Sequence, residues 1–274
     1  MNNFFNISQE KNNRGVFSLM EKFRISYGSH LSQFGVLRIP KESAKFPVIV
    51  TIHGGFWQSK YNLEENNPMV EDLTRRGFGT WNIEYRRVGE KGGGWPGTFN
   101  DVVDAVNHLA HLHEYDQLDT SQVTIIGHSA GGHLALWLAS RNQRNEIDGV
   151  FKRLTMPIQK VISLAGVTDL KKMWNIHKEQ GIDSPVETFM AGTPEEVAER
   201  YKIASPIDLL PFGLNQVLIH GELDRHVPVE LSKDYYHRAM KKEDRVQLIT
   251  LPEIEHFKLI DPDSEAWESV VNSL

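Results

Sequence analysis

The 274-residue sequence contains no cysteine. That excludes a disulfide framework, a thiol nucleophile and any cysteine-bearing zinc or iron–sulfur site. Long apolar runs are also missing, and none approaches the roughly 18–20 residues a membrane span requires. The first residues, Met1-Asn2-Asn3-Phe4-Phe5-Asn6, carry neither the basic n-region nor the apolar core of a secretory leader, so a cytoplasmic location is expected. Strong charge of one sign is absent too. Thirty Lys and Arg stand against 36 Asp and Glu, a net charge of −6. This mild acidic excess argues against a nucleic-acid or anionic-membrane partner. Neither a G-x-x-x-x-G-K-[ST] phosphate loop nor an H-E-x-x-H metal motif occurs, so no cofactor and no metal are expected.

What is present is a regular alternation. Short apolar runs at 23–27, 34–39, 48–53, 80–85, 123–126, 160–164, 216–220 and 246–251 predict eight strands. Helical periodicity falls between most of them, at 67–76, 99–113, 130–141, 230–241 and 263–274. The pattern reads as one α/β domain over 1–274, with a mostly parallel sheet flanked by helices. The first two strands have no helix between them and predict an antiparallel edge. Between Gly166 and Leu214 no strand is predicted, only short helices at 170–177 and 194–202. An insertion of this size between core strands reads as a lid or binding wall.

Gly127-His128-Ser129-Ala130-Gly131 follows the fifth strand and leads directly into a helical pattern. G-x-S-x-G in that strand–turn–helix context marks a nucleophile elbow, with Ser129 as the nucleophile. A serine hydroxyl needs a histidine base, and the base needs an orienting carboxylate. Asp224 lies in the turn after the seventh strand, with Glu222 as a rival carboxylate. His256 is the sole histidine beyond the eighth strand. Ser129, Asp224 and His256 therefore fall in the chain order of a hydrolase triad. His220 reads as a packed strand-end residue and His237 as a surface one. Oxyanion donors are expected from the Ala130 amide and from Gly55 or Phe56 in His53-Gly54-Gly55-Phe56-Trp57, with His53 pinning that loop.

Two other signals are weaker. Gly92-Gly93-Gly94-Trp95-Pro96-Gly97 formally matches a dinucleotide fingerprint, but six residues separate it from the strand, and Trp95 and Pro96 sit where a pyrophosphate would lie. It reads as a loop near the pocket mouth. His108, His111 and His113 read as a solvated helix face rather than metal ligands.

With these residues assembled, the chain resembles the α/β-hydrolase superfamily from about Phe23 onward. Within it, His53-Gly54-Gly55-Phe56-Trp57 together with Gly127-His128-Ser129-Ala130-Gly131 is similar to the kynurenine formamidase (arylformamidase) and small carboxylesterase branch. The resemblance implies a Ser129–His256–Asp224 triad, an acyl-enzyme intermediate, and a small ester or aryl formamide as substrate and sole partner class, with a homodimer compatible. The Gly92–Gly97 loop departs from the formamidases toward bacterial esterases. Trp57, His128, Trp95, Trp174, Phe189 and Phe257 are the expected pocket side chains. A non-catalytic binding protein on the same fold, or a peptidase or acyltransferase with the same triad, are the competing readings.

Overall fold

The computed structural model describes residues 20–42, 44–112, 114–142 and 149–274. The expected leader-free N-terminus and His113 lie outside the described residues. Eight strands form one sheet: β1 (Met20–Ser26), β2 (Phe34–Pro40), β3 (Phe46–Ile52), β4 (Gly79–Ile83), β5 (Leu118–His128), β6 (Lys160–Leu164), β7 (Asn215–Gly221) and β8 (Val246–Leu251). Their order is β1-β2-β4-β3-β5-β6-β7-β8. The pairs β1–β2 and β2–β4 are antiparallel and every other pair is parallel. This is the α/β-hydrolase architecture, antiparallel edge included.

Alternation along the central strands divides the core between two faces of the sheet. Val48, Val50, Ile52 and Ile125 join the larger cluster, while their neighbours Ile49 and Ile126 join the smaller. Helices α2 (Gly97–Asn107), α3 (Ala130–Ser140) and α8 (Glu230–Lys241) cover the first face. Helices α1 (Asn67–Arg75) and α9 (Trp267–Val271) cover the second through Met69, Val70, Leu73, Trp267 and Val270. Strands buried on both faces carry near-continuous apolar sequence, which is why Val48-Ile49-Val50 needs no polar alternation. No helix among the described residues is long and apolar enough to cross a membrane.

The insertion holds four helices rather than two: α4 (Leu170–Glu179), α5 (Pro185–Met190), α6 (Ala198–Ala204) and α7 (Pro206–Leu209). Helix α6 starts four residues later than the expected Pro194. Thr193 N–H donates to Glu196 Oε2 and Glu196 N–H to Thr193 Oγ1, closing a turn that the helix does not continue. Two further expected helices are shorter than predicted. After Asn107 the chain tightens into a 3-10 turn at His108–His111, and before α9 the Asp261 side chain holds a turn by accepting from Asp263 N–H. His108 is half-buried and stacks on Trp81, so it is not part of a fully solvated face.

His133 on α3 generates a test of the core. Its Nε2 donates to the Ala204 carbonyl at 3.0 Å, and its ring edges onto Trp57, Phe99 and Phe189. Burial, partly opposed by that hydrogen bond, lowers its pKa to about 4. The neutral ring is therefore favoured in the fold, while the unfolded chain takes up the proton below the ordinary histidine value of about 6.5. Stability from this source is intact above pH 6.5 and falls as pH drops toward 4, by about 3 kcal/mol in total. His133→Gln, which keeps a donor for Ala204, is expected to flatten that part of the stability–pH curve. Denaturation midpoints measured from pH 4 to 7 check this; parallel curves for the two proteins would refute it.

Candidate active site

Four loops at the C-terminal edge of the sheet bring the predicted residues to one place. Ser129 sits between β5 and α3 with φ 56° and ψ −119°, a conformation that costs a non-glycine residue about 1–3 kcal/mol. Small residues make the turn possible. A Cβ on Gly127 would overlap the Gly131 carbonyl, and one on Gly131 would overlap the carbonyl oxygens of Ile52 and His53. One on Gly132 would lie 2.7 Å from Gly166 Cα. The elbow is thus wedged between β3 and the loop after β6, and Ser129 N–H donates to the Leu164 carbonyl at 2.8 Å.

The expected acid and base lie in contact. His256 Nδ1 donates to Asp224 Oδ2 at 2.5 Å, and both groups are shielded from water. Asp224 Oδ1 accepts from the His226 and Val227 amides at 2.8 and 2.9 Å. Burial alone would raise the Asp224 pKa. Hydrogen bonds from His220 and His256, the His256 charge and the Val227 amide outweigh it and hold the carboxyl well below its usual range. Asp224 therefore stays an anion at neutral pH. With Nδ1 engaged by Asp224, the free nitrogen of His256 is Nε2. The rival Glu222 is exposed.

His220 does more than pack. Its Nε2 donates to the Val227 carbonyl at 2.8 Å and lies 3.3 Å from Asp224 Oδ2, while Nδ1 accepts from Ser232 Oγ at 2.7 Å. It ties the acid's turn to α8.

The loop after β3 has three consecutive positive φ angles, 91° at Gly55, 49° at Phe56 and 58° at Trp57. Such a left-handed run is unfavourable for Phe and Trp and must be held from outside. His53 supplies part of the hold, as expected. Its Nε2 donates to Glu84 Oε1 at 2.8 Å, its ring stacks on Tyr85 at 4.4 Å, and Tyr85 OH donates to the His53 carbonyl at 2.9 Å. Gly54 N–H is engaged by Glu65 Oε2 at 3.0 Å. The amides of Gly55, Phe56 and Ala130 have no intramolecular acceptor among the described residues. A Cβ on Gly54 would stand 3.1 Å from Ser129 Cβ, so this loop lies directly against the serine.

Sequence reasoning missed Glu84, Glu65 and Tyr61. Glu84 is buried and accepts from His53, from the amides of Leu63 and Tyr85, and pairs with Arg87 at 3.2 Å. A charged residue closing the apolar strand Trp81-Asn82-Ile83 was its one signal. Nothing in Leu63-Glu64-Glu65-Asn66 singled out Glu65. Tyr61 is 40% exposed and lies over Gly55, which has no side chain to displace it.

Three expected pocket residues are not walls. Trp57 and Phe189 are fully buried and stack on each other at 4.4 Å, forming an aromatic layer with Phe99 and His133 beneath the site. His128 is also fully buried, and its Nε2 donates to the His256 carbonyl at 3.1 Å. Its ring stays neutral because burial, reinforced by the charge of His256, pushes its pKa well down. Trp174 is half-buried within the insertion and donates to Glu187 at 2.9 Å. Trp95 is half-buried against Phe99 and Phe151. Phe257 is 52% exposed and stands 5.1 Å from the His256 ring, beside the candidate base. In the glycine-rich loop, Gly94 N–H donates to Thr98 Oγ1 and Trp95 N–H to the Phe189 carbonyl, so neither amide is available to a pyrophosphate.

The elbow strain can be measured. Glycine accepts the Ser129 dihedrals at the cost of about 0.5–1 kcal/mol of chain entropy, less than the strain relieved. Ser129→Gly is therefore expected to raise the thermal midpoint by a few degrees, roughly 2–4 °C per kcal/mol gained. Calorimetry of the two proteins decides it, and a lower midpoint would count against stored strain.

The BD-FAE family profile matches residues 36–239. Kynurenine formamidase from Salmo salar is 23% identical over 222 residues, covering 80% of this chain and 68% of that protein. The Drosophila melanogaster kynurenine formamidase is 22% identical, covering 86% and 75%. Probable carboxylic ester hydrolase LipM of Mycobacterium tuberculosis is 26% identical over 69% of this chain, which spans 44% of LipM's length. Among solved structures, an inhibited esterase B from Lactobacillus rhamnosis superposes with a TM-score of 0.80 at 18% identity, covering 94% of this chain and 86% of that one. A truncated carbohydrate esterase from gut microbiota gives 0.78 at 19% identity, covering 95% and 96%. The resemblance to formamidases and small carboxylesterases holds, and the chain is a hydrolase belonging to the BD-FAE family of the α/β-hydrolase superfamily.

Proposed function

We propose that the protein is a serine hydrolase that cleaves a small carboxylic ester or aryl formamide through Ser129, His256 and Asp224. The observation that carries the reading is the His256 Nδ1–Asp224 Oδ2 hydrogen bond of 2.5 Å, made at the sheet edge where Ser129 occupies a strained elbow. With Nδ1 fixed, His256 Nε2 takes the Ser129 proton as Oγ attacks the substrate carbonyl. The amides of Ala130 and of Gly55 or Phe56 receive the oxyanion; one such donor contributes about 10²–10³ in rate. The imidazolium then protonates the departing alcohol or amine, leaving an acyl- or formyl-enzyme. Water, deprotonated by the same nitrogen, attacks this ester. The acid and Ser129 are regenerated.

Phe257, Tyr61 and Phe56 are the aromatic side chains nearest the site that keep some exposure, which supports a substrate with an apolar or aromatic portion. Trp57 and Phe189 are fully buried, stack on each other and offer no surface to a substrate.

A fluorophosphonate probe is expected to label the protein, and Ser129→Ala to abolish the label. Asp224→Asn is expected to lower kcat by about 10⁴ while the protein stays folded. Absence of Ser129-dependent labelling would overturn the reading. Comparison of kcat/KM on N-formylkynurenine and on short-chain p-nitrophenyl esters assigns the substrate class. A higher value on the esters would remove the formamidase assignment and leave the esterase.

A further inference from the structure

Glu65 lies in a 3-10 turn (Leu63–Asn66) that the chemistry above does not use, yet its carboxylate touches two of the loops that build the site. Oε2 accepts the Gly54 amide at 3.0 Å, one residue before the proposed oxyanion donors. Oε1 lies 3.8 Å from Nδ1 of His128, the residue before the nucleophile. His128 Nε2 donates in turn to the backbone carbonyl of His256, the proposed base, at 3.1 Å. A carbonyl can only accept, so the Nε2 position carries the proton, and the neutral ring presents a lone pair at Nδ1. That Nδ1 is fully buried and has no hydrogen-bond partner. Buried polar atoms are nearly always paired, so this one requires an explanation. The Glu65 carboxylate 3.8 Å away is also an acceptor, so it makes no hydrogen bond there, and its firm hold is on the Gly54 amide.

We infer that Glu65 is a positioning residue for the hydrolytic reaction. Its carboxylate holds the Gly54 amide, and with it the loop that offers the oxyanion donors, in register beside His128, which in turn grips the loop that carries the base. The inference rests on the serine-hydrolase reading above. The need for such a coupling follows from the topology. The oxyanion loop, the elbow and the base follow β3, β5 and β8, and no backbone ladder joins β8 to β3 or β5. A displacement of about 1 Å between reacting groups can cost a hundredfold in rate. His128 spans part of the gap by gripping the His256 backbone, and Glu65 holds the Gly54 loop on the opposite side. Because Glu65 touches backbone and His128 but not the reacting atoms, its effect should appear in kcat and not in substrate binding.

The test uses the full chain and p-nitrophenyl acetate. Glu65→Ala is expected to lower kcat by 10- to 100-fold, on the order of the misplacement cost, with KM within about twofold of the parent. Glu65→Gln retains an oxygen for the Gly54 amide, so it is expected to keep kcat within about threefold of the parent. Should Glu65→Ala not fold, Glu65→Asp carries the same expectation, since it is one methylene too short to reach the Gly54 amide from this turn. A parent-like kcat in Glu65→Ala would overturn the inference. So would an equal loss in Glu65→Gln, or a change confined to KM, which would mark a substrate contact. Ser129-dependent fluorophosphonate labelling of the parent separates the two failures. If labelling is absent the hydrolase reading falls; if it persists while Glu65→Ala keeps its kcat, this inference alone falls.

Discussion

At Gly131 the first turn of α3 passes so near the end of β3 that a Cβ would overlap the Ile52 and His53 carbonyl oxygens. Two backbones in contact at this distance fix more than a helix orientation. They bring the start of α3 against the loop of Gly54 to Trp57, set Ser129 in its left-handed conformation, and aim the first amides of α3 at the same space. Because the contact is made by main chain, it survives changes in the side chains around it. Gly127 and Gly132 repeat the device on the other flanks of the turn, against Gly131 and Gly166. The elbow is rigid for a steric reason rather than through many hydrogen bonds.

A second layer is polar and lies below the first. Glu84, buried at the end of the chain segment leaving β4, gathers His53, Leu63, Tyr85 and Arg87 around one carboxylate. Asp224 does the same at the other end of the site for His220, His256, His226 and Val227. Each is a buried carboxylate met by several donors, so neither carries an unpaired desolvation penalty. The two carboxylates hold the Gly54 loop and the turn that faces His256, and removal of either would leave its donors buried and unsatisfied.

Much of this was legible in the sequence, for physical reasons that also explain where legibility ended. Val48-Ile49-Val50 and its counterparts announce buried parallel strands through apolarity alone, and all eight strands are present. Gly127 and Gly131 announce the elbow because no other residue fits there. The order of Ser129, Asp224 and His256 follows from the winding of the sheet, which returns each strand's C-terminal end to the same edge. Contacts that depend on where a distant side chain arrives were not legible. Glu65 reaches Gly54 across eleven residues and His128 across sixty-three, and nothing local marks it. Trp57 follows two glycines in a loop and looks like a pocket wall. Its burial depends on Phe189 arriving from an insertion whose helix α5 the sequence did not reveal.

That arrival of Phe189 changes what the insertion can be. Val186, Phe189 and Met190 of α5 are fully buried in the main core. At about 2 kcal/mol for each such side chain, lifting α5 away would cost roughly 6 kcal/mol, before any exposure of Trp57 is counted. An equilibrium of that size leaves about one molecule in 10⁴ open at any moment. A hinged cover would need a far smaller gap between its two positions. Helix α5 therefore behaves as masonry, a part of the core from the moment the chain folds.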